Sequence, residues 1–206
     1  VQGRCERRRT HRLNGETQMR KLLRIAAATA ALIGMSTGTA NAQHYVEASA
    51  GVTTKDSLEW NGSDYDMDDG WNAAVAVGTT MWTNWDVEAE FSYDEMEYSC
   101  CTPNNTHEYR LMANATRNFA LGGFTPYVGG GIGAAWVTYE YVGGESEGDV
   151  TPAYQLIGGL RVPLGDRFSI YGEYRYQDLF SEAEGDGDEW EHSGNNFALG
   201  ARMTLN

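Results

Sequence analysis

The stretch Pro126 to Val137, PYVGGGIGAAWV, has the residue types and spacing of a phosphate-binding turn. Gly129, Gly131 and Ala134 fit G-x-G-x-x-[GA], and Asp149 stands where a ribose-binding acid would be sought. That chemistry needs a strand before the first glycine and a helix after the last, so that the helix N-terminus meets the pyrophosphate. Here Pro126-Tyr127-Val128 precedes and the β-prone AWVTYEYV follows. No nucleotide site is expected, and no cofactor.

Other constellations fail on geometry or spacing. A hydrolase at a membrane rim needs a Ser, a His and an acid within reach of one another. Glu191-His192-Ser193 are consecutive, and neighbours on a strand point to opposite faces. His107 can approach Ser99 across one connection, without forming a recognisable motif. Catalysis is therefore not expected. Cys100 and Cys101 are adjacent in YSCCTPNNTHEY, leaving open a strained vicinal disulfide, an intermolecular bond or soft-metal ligation with His107. Their spacing is not a zinc signature. In NGSDYDMDDG, Asp64, Asp66 and Asp68 match the first half of a calcium loop, but its sixth position is Asp69 and its twelfth Val75. No resident metal is expected.

The remaining chemistry is ionic, and it depends on where the chain puts its charges. Met19 opens MRKLLRIAAATAALIGMSTGTANAQ, with a positive start, an apolar run from Ile25 to Met35 and a small-x-small site at Ala40-Asn41-Ala42. That is the layout of a secretory signal peptide over 19–42, with export through the periplasm. Residues 1–18 are polar and basic and are read as a non-native or mis-called extension; Cys5 lies there. Eight of the 15 Lys+Arg and two of the 29 Asp+Glu precede Gln43, leaving 7 bases and 27 acids over 43–206, a net of −20. Nucleic-acid binding through a basic face is excluded.

Period-2 alternation runs through 43–206 and predicts eight strands, near 44–54, 70–82, 85–95, 106–118, 125–138, 152–162, 167–178 and 194–205. In GWNAAVAVGTTMW, Trp71, Ala73, Val75, Val77, Thr79 and Met81 share one face, opposite smaller or polar residues. Each strand approaches the ~9–11 residues a tilted strand needs to cross a bilayer. Short connections (Thr83-Asn84, FALGGF, PLGD) alternate with long ones at 55–69, 96–105, 139–151 and 179–193, the pattern of an outer-membrane barrel. The long connections hold 17 acids against one base, Lys55. Aromatics gather near strand ends as interface girdles: Tyr45, Trp71, Trp82, Trp85, Tyr93, Phe119, Phe124, Trp136, Tyr139, Phe168, Tyr176 and Phe180.

The face opposite the apolar one carries Glu47, Glu88, Glu90, Glu108, Arg110, Arg161, Glu173, Arg175 and Arg202, five acids and four bases. A charge facing lipid at mid-depth costs ~2–4 kcal/mol, so these belong to the lumen. An eight-stranded barrel is only wide enough for side chains to fill it. The expectation is a nearly balanced salt-bridge plug, with a narrow ion path as its rival. On the same alternation Gly129, Gly131 and Gly133 line the lumen, leaving room for Arg and Glu side chains from across the barrel.

The segments TPYVGGGIGAAWV, YGEYRYQ and NNFALGARMTLN resemble the small eight-stranded outer-membrane barrels of the opacity-protein and outer-membrane-protein-A type, over Gln43 to Asn206. The resemblance implies an all-β, antiparallel, up-and-down transmembrane barrel in a bacterial outer membrane, with both termini in the periplasm. Such barrels usually end in an aromatic residue read by the assembly machinery; this chain ends Met203-Thr204-Leu205-Asn206. The expected role is a monomeric envelope or surface-interaction protein. Its expected partners are outer-membrane lipid, lipopolysaccharide, and an extracellular ligand or host surface met by the acidic loops. A low-conductance pore for small solutes or ions is the alternative, ahead of a lipid-modifying enzyme.

Overall fold

The computed structural model describes residues 43–54, 58–60, 63–65, 69–82, 84–97, 105–141, 144–180 and 193–205. The proposed leader, Ser99, Cys100, Cys101, Glu191, His192 and Asn206 lie outside them. Among the described residues there are ten strands: β1 (Gln43–Thr54), β2 (Leu58–Trp60), β3 (Ser63–Tyr65), β4 (Gly70–Met81), β5 (Trp85–Glu97), β6 (Asn105–Asn118), β7 (Thr125–Tyr141), β8 (Gly144–Pro163), β9 (Phe168–Leu179) and β10 (Gly194–Leu205). Eight close into an antiparallel barrel in the order β1-β10-β9-β8-β7-β6-β5-β4, and β2 pairs with β3 in a small separate hairpin.

The barrel is strongly sheared. Following paired residues from His44 through Thr79, Val87, Ala115, Gly130, Leu156, Tyr176 and Asn195 returns to β1 at Thr54, ten residues further along. With ~3.3 Å per residue and ~4.8 Å between strands, that stagger tilts the strands about 41° from the barrel axis and gives a backbone radius of about 8 Å.

Burial is inverted relative to a water-soluble domain. Outward side chains are apolar and exposed, among them Val75, Val128, Ile132, Leu156, Phe197 and Leu199. Inward ones are polar and buried, including Asp86, Glu88, Glu90, Asn114, Gln155 and Arg110. The alternation read from sequence therefore separates the two faces, and among the described side chains Tyr45 departs from the expected girdle. It shares the parity of Glu47, points inward and is 1% exposed.

The turns differ from the sequence reading in extent. The predicted connection 139–151 is mostly strand: β7 and β8 continue as a hairpin to Tyr141 and Gly144, with an irregularity between Trp136 and Thr138. The β-prone run WVTYEY supplies the strand, and the acids of GESEGD had masked its return partner. The predicted connection 55–69 likewise contains β2 and β3. At the opposite end, the Asn84 N–H donates to the Trp82 carbonyl, and tight turns at Phe119–Phe124 and Leu164–Arg167 close two further hairpins. Gly165 takes φ 116°, which L side chains rarely adopt, and Trp82 takes φ 46°.

Candidate functional site: the barrel lumen

Alternation on β1, β5, β6, β8, β9 and β10 delivers all nine predicted charges to the interior, where they form three groups along the axis. Nearest the tight turns, the Arg202 Nε donates to Glu47, and its Nη1 lies 2.7 Å from Asp86 Oδ2. Arg161 reaches Asp86 at 3.3 Å and Glu47 at 3.7 Å. Both guanidinium groups stack on tyrosines, Arg202 over Tyr45 at 3.5 Å and Arg161 over Tyr127 at 4.9 Å. In the middle, Arg175 pairs with Glu90 at 2.8 Å and with Glu173, whose Oε2 accepts from the Tyr127 hydroxyl. Towards the long connections, Arg110 pairs with Glu108 at 2.6 Å.

The space beside the inner glycines is used differently from the expectation. A Cβ on Gly131 would lie 1.9 Å from Asn114 Oδ1, and one on Gly133 would meet Met112 Sδ at 2.8 Å. One on Gly129 would meet the backbone of Ala115. The room goes to the adjacent strand β6, not to Arg and Glu side chains across the barrel, because the shear packs each inner face against its neighbour. The same device recurs with larger rings. Tyr45, Tyr127 and Tyr171 lie over Gly78, Gly159 and Gly200, their direct cross-strand partners.

Neutral amides extend this network along the interior, and these the search for charges passed over. Tyr45 donates to Glu88, and Asn114 donates to Glu88 and Glu90. Gln155 donates to Asn114 at 2.7 Å, and Gln177 donates to Gln155. Asn196 donates to Gln177 and to Asp94, whose other donor, Thr53, accepts from Asn72. The hydrogen-bonded chain thus runs from Tyr45 to Asn72 through the barrel interior. Donor–acceptor spacing is the readable signal: every one of these amides has the inward parity of its strand.

Two acids were also missed. Asp86 and Asp94 have the parity of Glu88 and Glu90 but sit nearer the strand ends, where a carboxylate reads as solvated. They are 1% and 2% exposed. With them, the lumen holds seven carboxylates against four guanidinium groups among the described residues, so the expected near-balance does not hold. The surplus lies in the middle and upper groups, since the lowest has two acids and two bases.

On the outside, His107 lies on β6 with its Nδ1 2.7 Å from the Tyr93 hydroxyl and 4.0 Å from Glu95 Oε2. Around them Trp71, Tyr93, Tyr109, Trp136 and Phe91 form a continuous aromatic patch, with centroids 5.1–6.3 Å apart. Aromatic girdles of this kind sit where a bilayer meets water.

Residues 25–203 match the model of the outer membrane protein beta-barrel domain family. The chain belongs to that family. Among solved structures, this outer-membrane barrel is similar to Neisserial surface protein A, with a TM-score of 0.64 at 13% identity over 80% of this chain and 99% of that one. It is similar to OprG from Pseudomonas aeruginosa, with a TM-score of 0.52 at 10% identity, covering 80% and 96%. It is also similar to Ail, the attachment invasion locus protein of Yersinia pestis, solved in complex with the heparin analogue sucrose octasulfate: TM-score 0.51, 12% identity, 80% and 99% covered. None of the curated proteins matches the chain in sequence. These likenesses share a fold across little sequence identity, as expected where alternation and closure matter more than particular residues.

Proposed function

We propose that this protein is an envelope anchor of the bacterial outer membrane whose lumen is closed by its own side chains and whose acidic connections form the working surface. The continuous chain of lumen hydrogen bonds from Tyr45 to Asn72, braced by the Arg202, Arg161 and Arg175 ion pairs, carries this reading. A solute would have to break several buried polar contacts to pass. The barrel then serves as a rigid base for the segments 55–69, 96–105, 139–151 and 179–193, which carry 17 acids and Lys55. Ail's ligand in its solved complex is a polyanion; loops this acidic favour the opposite class, a cationic or cation-bridged partner.

Purified protein in planar bilayers tests the closed lumen: the expected record shows no reproducible open state. Binding screens comparing the full chain with deletions inside 55–69 and 179–193 test the loops, and equal binding by all forms refutes the surface role. The rival is a narrow pore, favoured by the surplus of lumen carboxylates. That reading requires cation selectivity, so an anion-selective open state contradicts both.

A further inference from the structure

The outward face of β5–β8 is indented. A cavity of about 560 Å³ is lined by Val87, Ala113, Ala115, Gly130, Ile132 and Leu156, with Tyr154 and Phe180 at one end. Its floor lies close to the backbone because Ala115 and Gly130, which pair directly, present almost no side chain. Its direction follows from the shear. Moving one strand over and two residues up the barrel raises the position about 8 Å with little sideways drift, given the ~3.3 Å rise, ~4.8 Å spacing and the tilt above. Arg117, Gly130 and Tyr154 lie on one such line. That line is therefore upright and about 16 Å long, close to half of the ~30 Å hydrocarbon thickness, with the cavity lying along it above Arg117.

The lower end has a different character. Arg117 is on the same outward face as Ala115, two residues below it, beside the tight turns. Its guanidinium lies over Trp85 at 5.8 Å and over Phe119 at 5.9 Å. It makes no ion pair among the described residues. An exposed cation on an aromatic platform, at the foot of an upright apolar groove, matches the two ends of a phospholipid.

We propose that Arg117 and the groove above it seat one glycerophospholipid of the periplasmic leaflet, with its phosphate on the guanidinium and one acyl chain over Ala115 and Gly130. Charge and depth select this occupant. The periplasmic end offers Arg117 an anionic headgroup, and the apolar lining above it suits an acyl chain. The inference rests on the membrane reading above and adds a specific lipid to it.

The test uses the full chain, refolded into detergent, given equal phosphatidylglycerol and diacylglycerol with identical acyl chains, and weighed by native mass spectrometry. Wild type should retain one phosphatidylglycerol and little diacylglycerol. Arg117→Gln should lower phosphatidylglycerol retention about fivefold, the loss of one interfacial cation, and Arg117→Lys should restore most of it. Ala115→Phe fills the groove from an exposed position and should reduce retention without unfolding the barrel. Arg167→Gln, at another turn, should change nothing. Equal retention by wild type, Arg117→Gln and Ala115→Phe overturns the site, as does equal uptake of the two lipids. Vesicle insertion is scored separately: insertion without lipid preference refutes this site alone, while failure to insert refutes the membrane reading and the site together.

Discussion

Replacing Arg202 with Met should expose how much the lowest ion-pair group contributes. Arg202 bonds Glu47 and Asp86, and its side chain and that of Glu47 are each 7% exposed, that of Asp86 1%. Removing one partner of a buried pair costs roughly 3–5 kcal/mol, because the remaining charge is left in low dielectric. Two details move the expectation within that range. Arg161 stays 3.3 Å from Asp86 and 3.7 Å from Glu47, which softens the loss. The stack on Tyr45 is also lost, adding to it; such contacts contribute about 0.5–2 kcal/mol. The expected destabilisation is about 3 kcal/mol. Urea unfolding in phospholipid vesicles, followed by tryptophan fluorescence, measures it. A second variant tests the cause: Glu47→Gln on the Arg202→Met background removes the stranded charge and should recover about 1–2 kcal/mol. A loss below about 1 kcal/mol, or strict additivity of the two changes, refutes the account of a lumen held by ion pairs.

Other consequences are open to measurement. Gly131→Leu should slow or prevent barrel formation, because its Cβ would overlap Asn114 Oδ1 at 1.9 Å, while nucleotide binding stays at zero in both proteins; heat-modifiable gel mobility and a nucleotide titration check the two halves. Leu199→Arg, at a position 76% exposed near the middle of β10, should cost about 2–4 kcal/mol in vesicle unfolding and far less in a variant of Leu164 at the turn, a gradient that a water-soluble barrel would not show.

Period-2 alternation made the two faces legible because closure demands it of every strand at once. Glu88, Glu90 and Arg175 were found inside for that reason. Asp86 and Asp94 have the same alternation, but a rule restricted to the middle of each strand stops short of them. The shear then carries Asp94 across β4 to Thr53 on β1, a contact with no local trace in the chain. Asn114, Gln155, Gln177 and Asn196 were invisible to a search for charges, although their parity was available. The Tyr–Gly partnerships depend on register, and Tyr45 meets Gly78 only after β1 and β4 have paired. The β7–β8 hairpin was hidden by its composition: Gly143 and Gly144 with nearby acids resemble a solvated loop, whereas pairing that resumes after the irregularity at Trp136 and runs to Tyr141 shows how far backbone bonding extends beyond the apolar zone.

The seam between β1 and β10 joins the first strand of the sheet to the last. Glu47 and Arg202 are opposite each other across it, 155 residues apart in the chain. Every other strand can acquire a neighbour as a hairpin forms, but this pair must wait for the full circuit. Until then Glu47 has an incomplete set of partners and the sheet has two raw margins. The bond therefore acts as a completeness check written into the covalent order of the molecule. A nascent chain that stops before β10 forfeits both its closing edge and the cation its opening strand requires, so partial products remain marked as unfinished.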